Sequence, residues 1–158
     1  MLHYNFYKSD HPSNQLLILL HGFISDSQTY MNHIEAFLTQ CNILTIDLPG
    51  HGKDDSPIDQ TWDFPYITEQ INRVLSQFEK YKFSLLGYSM GGRVALYYTI
   101  YGQYEIKQLI LESTSPGIAD EALRKERQAI DQARGRVLEI AGIEVFVNDW
   151  EKLPLFQT

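Results

Sequence analysis

An α/β domain built on a mostly parallel sheet covered by helices is what this sequence predicts, and three observations predict it. Short apolar runs alternate along the chain with segments whose apolar residues recur at helical spacing. Two of those runs, Gln15 to Leu20 and Asn42 to Ile46, are continuous rather than alternating, the pattern of strands covered on both faces. Finally, glycine-punctuated loops follow three of the runs, at His21-Gly22-Phe23, at Asp47-Leu-Pro-Gly-His-Gly52 and at Gly87-Tyr-Ser-Met-Gly91. In a parallel sheet with right-handed crossovers such loops gather at one mouth, beyond the carboxyl ends of the strands.

Taken in order, Leu2 to Tyr7 alternates and contains aromatics, which predicts an edge strand, and Ser9 to Asn14 predicts a polar turn. Gln15 to Leu20 is the first buried strand. Tyr30, Ile34, Phe37 and Leu38 mark the inner face of a helix within Asp26 to Gln40, capped by Asp26 or Ser27. After the strand Asn42 to Ile46 and its loop, Lys53 to Asp63 is polar and acidic, an exposed excursion. Phe64, Ile67, Ile71, Val74, Leu75 and Phe78 then define a helix that Asp63 caps and Pro65 starts. Phe83 to Leu86 predicts a strand, the segment from Gly91 a helix, and Lys107 to Glu112 another strand. Beyond Ser113-Thr-Ser-Pro-Gly117 the alternation stops. Asp120 to Ala141 reads as one long charged helix and Ile143 to Leu153 as a shorter one, a pair with the character of a lid. Residues 1–117 thus read as sheet core and 118–158 as a helical lid segment.

Composition narrows the functional classes. The 158 residues are 44% hydrophobic and 21% charged, enough for a real core and unlike a disordered chain. A net charge of -7, from 13 basic against 20 acidic residues, argues against a nucleic-acid surface. An anionic substrate would have to be held by individually placed arginines. One cysteine, Cys41, allows neither a disulfide framework nor a thiolate metal site, and no histidine or carboxylate cluster has ligand spacing, so no metal or cofactor is expected. No apolar run approaches membrane-spanning length and the first residues lack a leader pattern, so no membrane insertion and a cytoplasmic location are the expectation.

The chemistry concentrates at Gly87-Tyr88-Ser89-Met90-Gly91, a G-x-S-x-G pattern between a strand and a helix. There the serine takes a strained backbone geometry, and the glycines are needed where side chains would collide across the bend. Its hydroxyl would stand at the amino end of a helix, whose unpaired backbone amides favour developing negative charge. The plainer reading is that the glycines close a tight turn and Ser89 caps the helix.

Together, His21-Gly-Phe23, Asp47-Leu-Pro-Gly-His-Gly52 and Gly87-Tyr-Ser-Met-Gly-Gly92 resemble the α/β-hydrolase fold family across the whole chain. The resemblance implies Ser89 as the catalytic serine and the backbone amides of Phe23 and Met90 as the oxyanion hole. Phe23 can also serve as a hydrophobic plug. The family's acid and histidine follow the serine, whereas His3, His11, His21, His33 and His51 all precede Ser89. The expectation is therefore a chain that stops before the last strands of the fold, inactive by itself, and prone to self-association through the uncovered edge of its last strand.

Within that family, Gly87-Tyr-Ser-Met-Gly-Gly-Arg93, Leu111-Glu-Ser-Thr-Ser-Pro-Gly117, Arg127 and Phe146-Val-Asn-Asp-Trp150 to Pro154-Leu-Phe156 resemble the 2-succinyl-6-hydroxy-2,4-cyclohexadiene-1-carboxylate synthases of menaquinone biosynthesis. These are lyases, and the resemblance implies a serine that acts as a base, loss of pyruvate and a small polycarboxylate substrate. Arg93, one helical turn after Ser89, is placed to grip a carboxylate, or is a surface arginine. Arg127 lies on the apolar stripe of the long helix, where it meets either a substrate carboxylate or Asp131 four residues on. Trp150 shares a face with Phe146 and Leu153, and Tyr88 sits inside the elbow; packing competes with the substrate contact that the resemblance implies for both. Two other readings stand beside the lyase. One is an esterase or carbon–carbon hydrolase on the same fold, and the other is a non-catalytic binding module that keeps the elbow as scaffold.

Overall fold

Five strands form one sheet in the order β1 (Tyr4–Tyr7), β3 (Asn42–Ile46), β2 (Gln15–Leu20), β4 (Lys82–Tyr88) and β5 (Ile106–Glu112), and the two with continuous apolar sequence, β2 and β3, are among its three interior strands. The computed structural model describes residues 1–154; Leu155 and Phe156, in the run that resembles the synthases, lie outside the described residues. β2 (Gln15–Leu20) and β3 (Asn42–Ile46) pair in parallel, as do β2 with β4 (Lys82–Tyr88) and β4 with β5 (Ile106–Glu112). β1 (Tyr4–Tyr7) runs antiparallel along β3, Tyr4 opposite Ile46. Both edges fall where the sequence places strands of mixed polarity.

Strand alternation separates two cores. Leu16, Ile18, Leu20, Leu44, Ile46 and Leu85 face α2 (Phe64–Leu75) and α3 (Met90–Tyr101), packing with Ile71, Val74, Leu75, Val94, Ala95 and Tyr98. Leu17, Leu19 and Ile43 face the other way, onto Tyr30 and Ile34 of the α1 (Met31–Leu38) segment. Complete burial of each such aliphatic side chain contributes roughly 2 kcal/mol, so the sheet centre dominates stability.

The structure departs from the sequence expectation at two helices. The first helix opens as a 3-10 turn, Ser27–Tyr30, before α1 begins. Two tertiary bonds accompany that tighter winding: Ser27 N–H donates to Asp47 Oδ1 at 2.8 Å, and Tyr30 Oη donates to the Leu20 carbonyl at 2.9 Å. Asp26 caps the turn by accepting from Gln28 N. The second helix is capped by Asp63, which accepts from Tyr66 N at 2.9 Å, but ends at Leu75. Phe78 lies beyond that end and still joins the core, with ring centroids 5.6 Å from Tyr4 and 5.3 Å from Phe6.

Two compact units divide at Pro116 and Gly117. In the second, α4 (Glu121–Glu151) is capped by Asp120, which accepts from Leu123 N, and breaks at Gly142, where φ is 81° and ψ 173°. Helix, glycine, shorter helix is the order the sequence predicts. In the first unit β5 is the outer strand, and Ile110 and Leu111 are 45% and 43% exposed. Among the described residues no helix is long and apolar enough to cross a membrane.

Candidate active site

Backbone strain collects at one end of the sheet. The three non-glycine residues with positive φ among the described residues are Ile24, Ser89 and Ser113, and they follow the carboxyl ends of β2, β4 and β5 respectively. Ser89 has φ 52° and ψ -113°, and its side chain makes no capping bond to α3, so its hydroxyl is left for chemistry rather than spent on the helix. Ser89 N–H donates to the Glu112 carbonyl at 2.9 Å, and Thr114 Oγ1 donates to the Ser89 carbonyl at 2.7 Å. Both bonds tie the bend to the end of β5.

Glycine is required here by close approach. A Cβ on Gly87 would lie 2.6 Å from the Gly92 Cα and against the Gly91 carbonyl, and one on Gly91 would strike the carbonyl oxygens of Leu20 and His21. The start of α3 therefore abuts the end of β2, which brings Met90, the first residue of α3, toward the His21-Gly22-Phe23 loop. A Cβ on Gly22 would sit 3.5 Å from the Ser89 Cβ and 3.0 Å from Tyr88 Cδ1, so Tyr88 packs on that loop beside the serine. Met90 thus follows Ser89 at the amino end of α3, and the loop that carries Phe23 lies against the same bend.

Two polar side chains hold the mouth from below. His21 is fully buried; its Nδ1 is 2.8 Å from the Gly22 carbonyl, and Leu48 N–H donates to its Nε2 at 2.9 Å. Burial pushes its pKa below the ordinary 6.5, with the nearby His51 adding to the fall, so the ring is neutral. Both nitrogens are engaged, which removes His21 as a base for Ser89. Asp47, 1% exposed, accepts from Ser27 N at 2.8 Å and Lys53 N at 3.0 Å and lies 3.0 Å from His3 Nδ1. Burial alone would raise its pKa, but these hydrogen bonds outweigh that and hold it below the usual carboxylate value. His51 binds the Pro49 carbonyl through Nδ1 at 2.9 Å, and its ring lies 5.7 Å from Phe23.

The expected substrate groups divide between the units. Arg93 is half-buried, one turn into α3, with Nη2 3.5 Å from Ser115 Oγ, and among the described residues no carboxylate pairs with it. Arg127 and Trp150 belong to the helical unit. The inward placement of Arg127 suggested by the apolar stripe is not what the structure has: the side chain is 46% exposed and its Nε donates to both Asp131 oxygens at 2.9 Å. A long charged side chain on a helix reaches its partner one turn away more easily than it enters a core. Trp150 stacks on Phe146 with centroids 6.0 Å apart, and Arg134 lies over its ring at 5.0 Å, both contacts inside that unit. Arg134, Thr114 and the buried Asp47 are not among the site residues the sequence suggests; Asp47 and Thr114 lie inside motif segments, whereas Arg134 carries no sequence signal. Among the described residues no group of three or more His, Cys, Asp or Glu is placed to hold a metal.

The family model described as alpha/beta hydrolase fold matches residues 15–139. The chain belongs to the alpha/beta hydrolase fold family. It is similar, at 33% identity over 141 residues, to the 2-succinyl-6-hydroxy-2,4-cyclohexadiene-1-carboxylate synthase of Serratia proteamaculans, covering 89% of this chain and 54% of that one. The corresponding Klebsiella pneumoniae synthase is 31% identical, over 92% of this chain and 56% of its own length. Among solved structures, MenH from S. aureus matches with a TM-score of 0.95 and 59% identity, over 99% of this chain and 59% of that chain. An esterase from Exiguobacterium antarcticum, 24% identical with a TM-score of 0.70 over 85% of this chain and 52% of its own, shares the fold. The chain spans about half the length of the curated relatives it matches.

Proposed function

We propose that this chain carries the serine side of a carbon–oxygen lyase site. The reaction eliminates pyruvate from 2-succinyl-5-enolpyruvyl-6-hydroxy-3-cyclohexene-1-carboxylate and yields 2-succinyl-6-hydroxy-2,4-cyclohexadiene-1-carboxylate. The observation that carries this reading is the 59% identity with MenH from S. aureus over 99% of the chain, together with an elbow serine of the required geometry.

In this mechanism Ser89 Oγ removes a proton from the ring carbon, the new double bond forms, and the carbon–oxygen bond to the enolpyruvyl group breaks. Pyruvate leaves as its enolate and takes up a proton. The amides of Phe23 and Met90 offset negative charge beside the serine. Arg93, which no protein carboxylate neutralises among the described residues, grips a substrate carboxylate, and Tyr88 lines the same pocket. The helical unit acts as a lid, and there Arg127 exchanges Asp131 for a substrate carboxylate while Trp150 packs on the ring. A histidine beyond the five of this sequence activates Ser89, so the 158 residues alone turn over poorly. A cytoplasmic location and self-association through the exposed β5 edge complete the reading.

The test is an absorbance assay for pyruvate elimination, run on this chain beside a version extended to the relatives' full length. Turnover by the extended protein, lost on Arg93→Ala, is the expected result. An extended protein that hydrolyses neutral esters, leaves the enolpyruvyl substrate intact and ignores Arg93→Ala would replace the lyase with an esterase.

A further inference from the structure

We propose that His21 is a positioning residue that sets the direction of the Phe23 amide, and so decides whether the oxyanion hole exists. The inference rests on the reading of Phe23 as an oxyanion donor, and its geometry lies in two hydrogen bonds that only one form of the ring can make. The Gly22 carbonyl can only accept, so His21 Nδ1, 2.8 Å away, must carry the proton. Leu48 N–H can only donate, so His21 Nε2, 2.9 Å away, must be bare. The neutral Nδ1–H tautomer satisfies both; the other neutral tautomer satisfies neither, and the imidazolium loses the Leu48 bond.

The consequence passes through one peptide plane. No peptide among the described residues is cis, so the Gly22 carbonyl and the Phe23 N–H point in opposite directions across a planar unit. Holding the carbonyl against the buried His21 ring turns the Phe23 N–H to the other side. A flipped peptide would present an oxygen where the site needs a hydrogen, and like charge would then meet the developing oxyanion. Glycine at position 22 makes that flip inexpensive, since a residue without Cβ tolerates both orientations. The loop therefore needs a lock, and Leu48, at the start of the loop that follows β3, holds the lock in its tautomer.

Two substitutions separate the bonds. The amide nitrogen of asparagine reaches about where Nδ1 stands, so His21→Asn keeps the donor to Gly22 and loses the acceptor for Leu48. Glutamine reaches about where Nε2 stands, so His21→Gln keeps the acceptor and loses the donor. The probe is phenylboronic acid, titrated into this chain and followed by boron NMR. Ser89 Oγ bonds to boron and releases its proton to solvent, and the resulting tetrahedral anion places an oxygen in the hole. Because boronate capture reports the hole whatever reaction the enzyme performs, failure of the lyase reading leaves this result standing.

The expected result is binding weakened about tenfold or more by His21→Gln and about threefold or less by His21→Asn, at similar melting temperatures. Equal effects of the two variants, or none from His21→Gln, overturn the proposal. Nitrogen NMR of the unmodified chain supplies a measurement that needs no variant to fold. A protonated Nδ1 with a bare Nε2 on His21 is expected, and the reverse tautomer overturns the assignment.

Discussion

The mouth of the sheet and the helical unit handle charge in opposite ways. At the mouth, Asp47 and His21 are buried with backbone partners for their polar atoms, and Ser89 sits in a strained bend tied to the end of β5. In the helical unit, Arg127, Asp131 and Arg134 lie on an exposed surface and satisfy one another within two turns. The first arrangement fixes atoms to a fraction of an ångström because moving any of them strands a buried group. The second costs little to rearrange, because its partners are exposed and water can replace them.

Breaking the mouth should give the largest effects. Gly87→Ala drives a Cβ into backbone atoms of Gly91 and Gly92 and should cost about 3 kcal/mol or more, read as a fall in melting temperature with loss of any Ser89 reactivity. A variant that melts unchanged would show that the elbow yields more easily than its close contacts indicate. Asp47→Asn comes next. It leaves the shape and removes the charge that receives Ser27 N, Lys53 N and His3, for an expected loss of about 2 kcal/mol at neutral pH.

The pH dependence follows in sign. Because the folded state holds the Asp47 carboxyl below its ordinary 3.8, this stabilisation is full above that value and is lost as pH falls through the lower folded one. Denaturant melts from pH 7 to 2 should show the unmodified chain losing this increment below about pH 4 and Asp47→Asn losing less. Parallel curves would remove Asp47 from the account of the acid limb.

Smaller effects sharpen the contrast. Thr114→Val deletes the hydroxyl that donates to the Ser89 carbonyl and should cost about 1 kcal/mol, with a larger loss of catalysis than of stability in the extended enzyme. Asp131→Asn should change stability by less than about 0.5 kcal/mol, since its partners are exposed and one turn away. Its signature is a lower KM for the polycarboxylate substrate, as Arg127 no longer has a resident anion to exchange. A KM unchanged by Asp131→Asn but raised by Arg93→Ala would confine substrate recognition to the mouth.

Much of this was legible in the chain. Continuous apolar runs located β2 and β3 to the residue, Asp63 announced its helix, and Gly142 stands at the break in α4 because glycine alone combines φ 81° with ψ 173° at little strain. The elbow was readable for the same reason: its glycines answer to contacts within a few residues or with one neighbouring strand. Less legible were the 3-10 opening of the first helix and the end of α2 before Phe78. In the first case the Ser27 bond to Asp47 spans 20 residues, and in the second an aromatic cluster with β1 competes with helical periodicity.

What the sequence by itself determined is the set of parts: strands, helices, the serine in its bend and the arginine one turn later. Each depends on local propensity or on a period of two or 3.6 residues, information contained in neighbouring positions. The tertiary structure alone decided which tautomer His21 carries, which groups Asp47 gathers, and that Arg127 meets Asp131 rather than the interior. Those outcomes depend on desolvation and on partners brought together from distant segments, and a one-dimensional pattern holds neither.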